Sequence, residues 1–241
     1  REYYTLTTDS QGVITADLPE GLYKAVEVEA PEQYDIKGKE YYFGVGGSRE
    51  GKKQLEPVLV KKTANNPAIE KTDDGGYIVG GTFDSETIQM GEEILSNNST
   101  ISYGTRYYND AVVTKYNSDF EIEWANSFGG RTSEVISSIV QSDDGGYVVA
   151  GSFNSNTIQL EEETLMTNGG FDGLIIKYSS EGKVQWAKNI GGSGEDRIIS
   201  AVSTSDGGVI VGGYFTSKTI ILDGETLTNN GSNDVFIVKY N

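Results

Sequence analysis

At 241 residues with 36% hydrophobic residues, the chain is long enough to bury a sizeable core, as one large β domain or two smaller ones. Its net charge of −17 at pH 7, from 36 acidic against 19 basic residues, repels phosphate backbones and argues against nucleic acid or an anionic membrane surface as a partner. Cysteine and histidine are both absent, which excludes disulfides, thiol chemistry, histidine general-base catalysis and typical zinc sites.

Thirty-one glycines and fifteen tyrosines, with abundant Thr, Val and Ile, favour many short strands and tight turns over helices. No apolar run approaches the roughly 20 residues that span a bilayer, and no basic start leads into an apolar stretch as in a signal peptide. The chain starts at Arg1, without an initiating methionine, and is read as a piece of a longer protein whose targeting and anchoring signals lie elsewhere.

The first sixty residues do not repeat. Residues 5–46, TLTTDSQGVITADLPEGLYKAVEVEAPEQYDIKGKEYYFGVG, carry Leu18, Gly21, Tyr23, Glu27, Ala30, Pro31 and Tyr34 ahead of a closing strand Tyr41-Tyr42-Phe43. This pattern resembles the C-terminal part of a prealbumin-like B-type (SpaA-like) domain of Gram-positive pilins and collagen adhesins. The resemblance implies a small β-sandwich fragment over 1–46. In many such domains a Lys and an Asn are joined covalently with a Glu assisting. Glu27 aligns with that Glu, but residues 40–46 hold no Asn, so no isopeptide bond is assigned. Residues 47–65, with SREGKKQLEP and then Lys61 and Lys62, are polar and charged and read as a solvated linker.

From residue 66 onward the chain repeats. TDDGGYIVGGTF (72–83) returns as SDDGGYVVAGSF (142–153) and as TSDGGVIVGGYF (204–215). Asp110, Asp172 and Asp234 recur every 62 residues, as do Lys115, Lys177 and Lys239, and Tyr116, Tyr178 and Tyr240; Trp124 and Trp186 keep the same interval. Between Gly75 and Gly145 the spacing is 70, and the extra residues fall in the stretch containing SNNSTISYGTRYY (96–108), which reads as a lengthened surface loop. The units are 66–130, 131–192 and 193–241, the last lacking its Trp strand.

Each unit reads as four antiparallel strands, for example VISSIVQS, YVVAGSF, GLIIKYS and KVQWAK, with a tight Asp-Gly-Gly turn between the first two. An additional small hairpin, such as TIQLEEETL, sits between the second and third. The third strand is apolar on both faces in all units, Val235, Phe236, Ile237 and Val238 included. The fourth alternates, with Ile122 and Trp124 on one face and Glu121 and Glu123 opposite. Gly80, Gly81, Ala150, Gly151, Gly212 and Gly213 allow neighbouring sheets to approach closely. Sheets stacked face to face around an axis are propeller blades, so the expected class is all-β, a partial β-propeller of about three blades. GGYVVAGSF followed by FDGLIIKYSSEGKVQWAKNIGG resembles the SBBP-type propeller repeats of bacterial secreted and surface proteins. That resemblance implies an extracellular propeller without defined chemistry.

Residues that recur once per unit read first as architecture. Asp110, Asp172 and Asp234 are expected to accept bonds from turn amides; a ring of them at one mouth of the propeller is the alternative, suited to a cation or polar ligand. The turn acids Asp73, Asp74, Asp143, Asp144 and Asp206 fit the hairpins, with calcium ligation as their alternative role. The repeated lysines are expected to reach the surface or pair with a carboxylate. Trp124 and Trp186 are expected to pack inward rather than stack on sugars. No acid pair is singled out for glycoside hydrolysis and no cofactor is expected. The sequence reads as a non-enzymatic, adhesin-like module, extracellular or cell wall-attached, whose partner is a protein or glycan ligand. The alternative is a carbohydrate-binding or carbohydrate-active propeller.

Overall fold

The computed structural model of the chain describes residues 21–26, 40–45, 68–99, 107–222 and 224–241. The chain divides into two units, Arg1–Val58 and Leu59–Asn241. In the first, strands β1 (Gly21–Val26) and β2 (Glu40–Val45) pair antiparallel, with Tyr23 opposite Phe43 and Ala25 opposite Tyr41. Glu27, Pro31, Tyr34 and the expected linker at 47–65 lie outside the described residues, as does much of the lengthened loop of the first repeat.

The second unit is all antiparallel β. The first sheet runs in the order β3 (Ala68–Lys71), β4 (Tyr77–Phe83), β7 (Asp110–Tyr116) and β8 (Ile122–Phe128). The second repeats it with β9 (Glu134–Gln141), β10 (Tyr147–Phe153), β13 (Asp172–Tyr178) and β14 (Val184–Ile190). The third has β15 (Asp196–Ser203), β16 (Val209–Phe215) and β19 (Asp234–Tyr240). Small hairpins follow each second strand: β5 (Thr87–Met90) with β6 (Glu93–Ser96), β11 (Thr157–Leu160) with β12 (Glu163–Met166), and β17 (Thr219–Leu222) with β18 (Glu225–Thr228). The first two strands of each sheet are joined by a turn in which Gly75, Gly145 or Gly207 takes a φ of +84, +78 or +83°, a left-handed conformation only glycine adopts without cost. These sheets, in sequence repeats, have the architecture of propeller blades.

The sheets pack through their faces. Ala111 and Val113 of β7, with Ile78 of β4, meet Ile136, Tyr147, Val149 and Leu174 of the second sheet in one core. Val148, Ala150 and Ile175, on the other face of that sheet, meet Ile198, Val209 and Val211 of the third in another. The middle sheet is thus covered twice, and every residue of β10 and β13 is buried. The third sheet departs from this. Val235 and Ile237 of β19 are 75% and 73% exposed, because no described element covers the face they occupy.

Two further expectations change with the register. A β-bulge in the fourth strand sets Ile122 opposite Tyr116 but Trp124 opposite Lys115, so Ile122 and Trp124 lie on opposite faces. Ile122 packs in the small core with Phe83 and Val112, Trp124 in the core shared with the second sheet. The glycines of the second strands also divide by role. A Cβ on Gly80 would stand 2.6 Å from Ile139 Cδ1 of the next sheet, so there close approach does require glycine. At Gly151 and Gly213 the obstacle is instead the carbonyl of the sheet's own first strand, Val135 O or Arg197 O, at a bulge.

Gly80 and Gly212 are equivalent positions with different surroundings, since nothing lies closer than 3.7 Å to a Cβ built on Gly212. Gly80→Ala is expected to destabilise by about 1–3 kcal/mol through overpacking. Gly212→Ala is expected to be neutral or stabilising by up to about 1 kcal/mol. Chemical denaturation of both variants checks the contrast.

Candidate functional site

Every repeat builds a lysine onto its own hairpin turn. In the first, the Lys115 ammonium, only 1% exposed as a side chain, donates to Asp74 Oδ2 and to Glu123 Oε2, both at 2.8 Å, and to the Tyr116 carbonyl at 3.0 Å. Asp74 also accepts from the Thr72 hydroxyl at 2.5 Å and the Gly76 amide at 2.9 Å. In the second, Lys177 donates to Asp144 at 2.6 Å and to the Ser142 hydroxyl, which itself donates to Asp144 at 2.7 Å. In the third, Lys239 pairs with Asp206, which accepts from the Thr204 hydroxyl at 2.5 Å.

The charges follow from these bonds. The Lys115 ammonium, with Thr72 and Gly76, holds the Asp74 carboxyl down at about 2. Burial pushes Asp144 the other way, but Lys177, Ser142 and Gly146 together outweigh it and hold its carboxyl near about 2. Burial also disfavours the Lys115 charge, yet Asp74 and Glu123 more than compensate, so its affinity for the proton is raised. Asp74, Asp144 and Asp206 are thus each paired with the ammonium of their own repeat, while more than half of each carboxylate side chain stays exposed. Asp73 and Asp143, the first acids of their turns, are exposed, and among the described residues no three acidic side chains gather as metal ligands.

A second repeated arrangement sits where one sheet meets the next. Asp110 and Asp172 are fully buried. Oδ2 of Asp110 accepts from the Asn98 amide at 2.6 Å and its side chain at 3.1 Å, and Asp172 repeats this with Asn168 at 2.9 and 3.1 Å. Asp234 accepts from the Asn230 amide at 2.9 Å. Gly129 and Gly191 pack against the carboxyls of Asp110 and Asp172, where a Cβ would stand 2.3 Å from the carboxyl carbon, and Oδ1 of each is without a hydrogen-bond partner.

Sequence reasoning missed the acids beside them. Glu134 opens β9 with its amide donating to the Asn109 carbonyl at 2.8 Å, and Asp196 opens β15 with its amide donating to the Phe171 carbonyl at 2.6 Å. Their carboxylates gather amides: Gly130 and Ser155 donate to Glu134 at 3.1 and 3.4 Å, while Gly192, Thr216 and Ser217 donate to Asp196 at 2.7, 3.0 and 3.1 Å. The available signal was an acid at the same 62-residue interval, just after Gly-Gly. Burial, reinforced by the Asp110 charge, pushes the Glu134 carboxyl up to about 8, and burial pushes Asp110 up to about 6. Burial raises Asp172 as well.

The tryptophans tie each sheet to its successor. Trp124 is half-buried, its ring centroid 5.9 Å from those of both Tyr147 and Tyr178, and its indole N–H donates to the Ser180 carbonyl at 2.9 Å. Trp186, also half-buried, lies 6.4 Å from the Tyr240 ring. Tyr116 and Tyr178 are buried with their hydroxyls pushed upward in pKa by desolvation. An open cleft of about 480 Å³ is lined by Asn98, Gly129, Thr157, Ile158, Gln159 and Thr164, which offers neutral hydrogen-bonding groups and no aromatic platform.

The fold and these contacts define a protein of stacked repeat sheets whose recurring polar residues hold turns and junctions together. Comparison with known proteins adds that residues 2–57 match the family model "SpaA: Prealbumin-like fold domain". Domains of this family occur in surface and secreted bacterial proteins. An uncharacterized WD repeat-containing protein of Acanthamoeba polyphaga mimivirus is 29% identical over 112 residues, covering 40% of this chain and 8% of that protein. The chain therefore spans under a tenth of the length of this relative, whose likeness is in repeated β-structure.

Two predictions follow the two arrangements. Asp144→Ala strands the Lys177 ammonium, which is 8% exposed, and is expected to cost about 2 kcal/mol once screening of the half-exposed carboxylate is allowed for. Asp206→Ala frees a lysine that already reaches solvent, and its melting curve is expected to stay close to the parent's. The second prediction concerns pH. Folded Glu134 keeps its proton to about 8 while the unfolded chain releases it near 4.5, so stability falls as pH rises through that window. Asp74 and Asp144 act oppositely, losing their contribution as pH drops from 3.8 through about 2. Melting temperatures between pH 5 and 9 are expected to decline, and Glu134→Gln to flatten the decline.

Proposed function

We propose that this chain is a non-enzymatic display module of a bacterial surface protein, extracellular or wall-attached, in which an SpaA-type domain precedes propeller-type sheets that present an adhesin-like binding surface. The observation that carries the reading is the use made of the recurring residues. Lys115 and Lys177 are consumed by turn acids, Asp110 and Asp172 by amides, and Trp124 by the neighbouring sheet's tyrosines. A general acid and base need carboxyls that reach a substrate, and the acids with raised proton affinity, Asp110, Asp172 and Glu134, are buried. The family matched at residues 2–57 supports the surface location. The partner is a protein or a glycan, engaged through exposed loops and sheet rims.

An array of extracellular-matrix proteins and glycans probed with the purified chain tests this reading, with the same glycans assayed for released reducing ends. Saturable binding to one class without turnover is expected. Hydrolysis of any arrayed glycan contradicts the non-enzymatic reading, and sugar-dependent quenching of tryptophan fluorescence moves the assignment to a lectin.

A further inference from the structure

After each small hairpin the three repeats place an asparagine at the same point. Asn98, Asn168 and Asn230 each donate their backbone amide to the acid that opens the third strand, Asp110, Asp172 or Asp234. The preceding residue differs. In the first and third repeats it is Asn97 or Asn229, whose side-chain amide donates to the Phe83 or Phe215 carbonyl. Oδ1 of the same residue accepts the backbone amide of Ser99 or Gly231, at 2.8 Å in both. The second repeat has Thr167 there, and among the described residues no acceptor takes the Gly169 amide.

An asparagine side chain is most open to attack by the next main-chain nitrogen when that nitrogen belongs to glycine, which has no Cβ to hinder the approach and rotates freely. The chain holds two such pairs, Asn168-Gly169 and Asn230-Gly231, and both are exposed. At the first site Ser99 brings a side chain to the attacking residue, and at the third the Gly231 amide is engaged by Asn229. Of the three asparagines, only Asn168 precedes a glycine whose nitrogen is uncommitted.

We propose that Asn168 is a site of spontaneous deamidation, and that its conversion loosens the junction between the second and third sheets. The Gly169 nitrogen gives its proton to solvent and bonds to Asn168 Cγ; the Cγ–Nδ2 bond breaks, and the nitrogen leaves as ammonia after taking up a proton, which closes a succinimide ring. Water then adds to one ring carbonyl or the other, leaving aspartate, or isoaspartate with the main chain rerouted through Cγ. Either product replaces the Asn168 side-chain amide, which donates to Asp172 Oδ2 at 3.1 Å, with a carboxylate. Asp172 is fully buried, its Oδ1 has no partner, and Asp196 lies close by, so a further negative charge there is unfavourable. Isoaspartate also lengthens the main chain next to the contact between the sheets, where the Gly170 amide donates to the Gly194 carbonyl at 2.9 Å and a Cβ on Gly169 would stand 2.4 Å from the Ser193 carbonyl carbon. The inference concerns ageing of the fold and stands apart from the display function proposed above.

The test is peptide mapping by mass spectrometry of the full chain held in mildly alkaline buffer at physiological temperature, with each site's rate divided by that of the same site in denaturant. Asn168 is expected to convert, to both aspartate and isoaspartate, about threefold or more faster than Asn230, the order of magnitude that one net hydrogen bond supplies. Thr167→Asn installs the cap of the other two repeats, with the Phe153 carbonyl standing where those of Phe83 and Phe215 do, and is expected to slow Asn168 by a similar factor. Asn168→Asp is expected to lower the melting temperature by about 2–4 °C, and Asn230→Asp, whose side chain bonds the Thr228 carbonyl instead of an acid, by less. An Asn168 that stays intact while Asn230 converts overturns the inference, as does a rate that Thr167→Asn leaves unchanged. Parent-like melting of Asn168→Asp overturns the claim that the junction loosens.

Discussion

A β-sheet with apolar side chains on both faces has to be covered twice, and this constraint shapes everything else in the repeat region. Third strands such as β13 carry large aliphatic residues on both sides and cannot be stable as a free sheet. Stacking solves the problem for the middle sheet, where Val149 and Ile176 go into one core and Val148 and Ile175 into the other. The arrangement is cumulative in the manner of repeat proteins: each sheet's stability depends on its neighbours, and a terminal sheet keeps one face to solvent.

Polar groups drawn into such a stack need partners of their own. The lysine in each third strand points towards the next sheet and finds its counter-charge on its own first turn, where the second acid of Asp-Asp-Gly-Gly, or its equivalent Asp206, waits with a hydroxyl two residues before it. Asp-Gly is thus more than a turn signal here. It places a carboxylate over the end of the strand so that a cation can be buried beside Tyr116 or Tyr178. Beside Lys239, which no described sheet covers, the same pair is open to water and stabilises less. At the other end of the third strand, Asp110 and Asp172 stitch a loop to the strand start, with Glu134 or Asp196 close by on the following sheet. The raised proton affinity of buried Glu134 and Asp110 is expected to lower stability as pH rises, while the bonds these acids accept fix how successive sheets meet.

Much of the fold was legible because spacing carries it. The 62-residue interval, the strand order and the inserted hairpins follow from sequence alone, since a unit that repeats must occupy equivalent positions. Bulges were not legible. The residue inserted between Ile122 and Trp124 moves them to opposite faces, and period-two reasoning has no signal for a register shift that backbone pairing decides. Gly151 and Gly213 were misread for the same cause, as contacts between sheets when they relieve a bulge within one. The lysine–aspartate pairs were half legible: both residues recur, but the turn and the third strand meet only through the register of β4 with β7 and its copies. Glu134 and Asp196 escaped notice because one is Glu and the other Asp, in loops that otherwise differ.

The account's central claim is that face-to-face coverage sets the stability of each sheet. Native-state hydrogen exchange across the whole chain tests it most directly. Amides of β10 and β13, covered on both faces, are predicted to exchange only through the largest opening of the repeat region. Those of β4 and β7 are predicted to follow, with β19 exchanging fastest among the third strands. Equal protection of β13 and β19 would contradict the account, because it would mean that each sheet is stable without its neighbours.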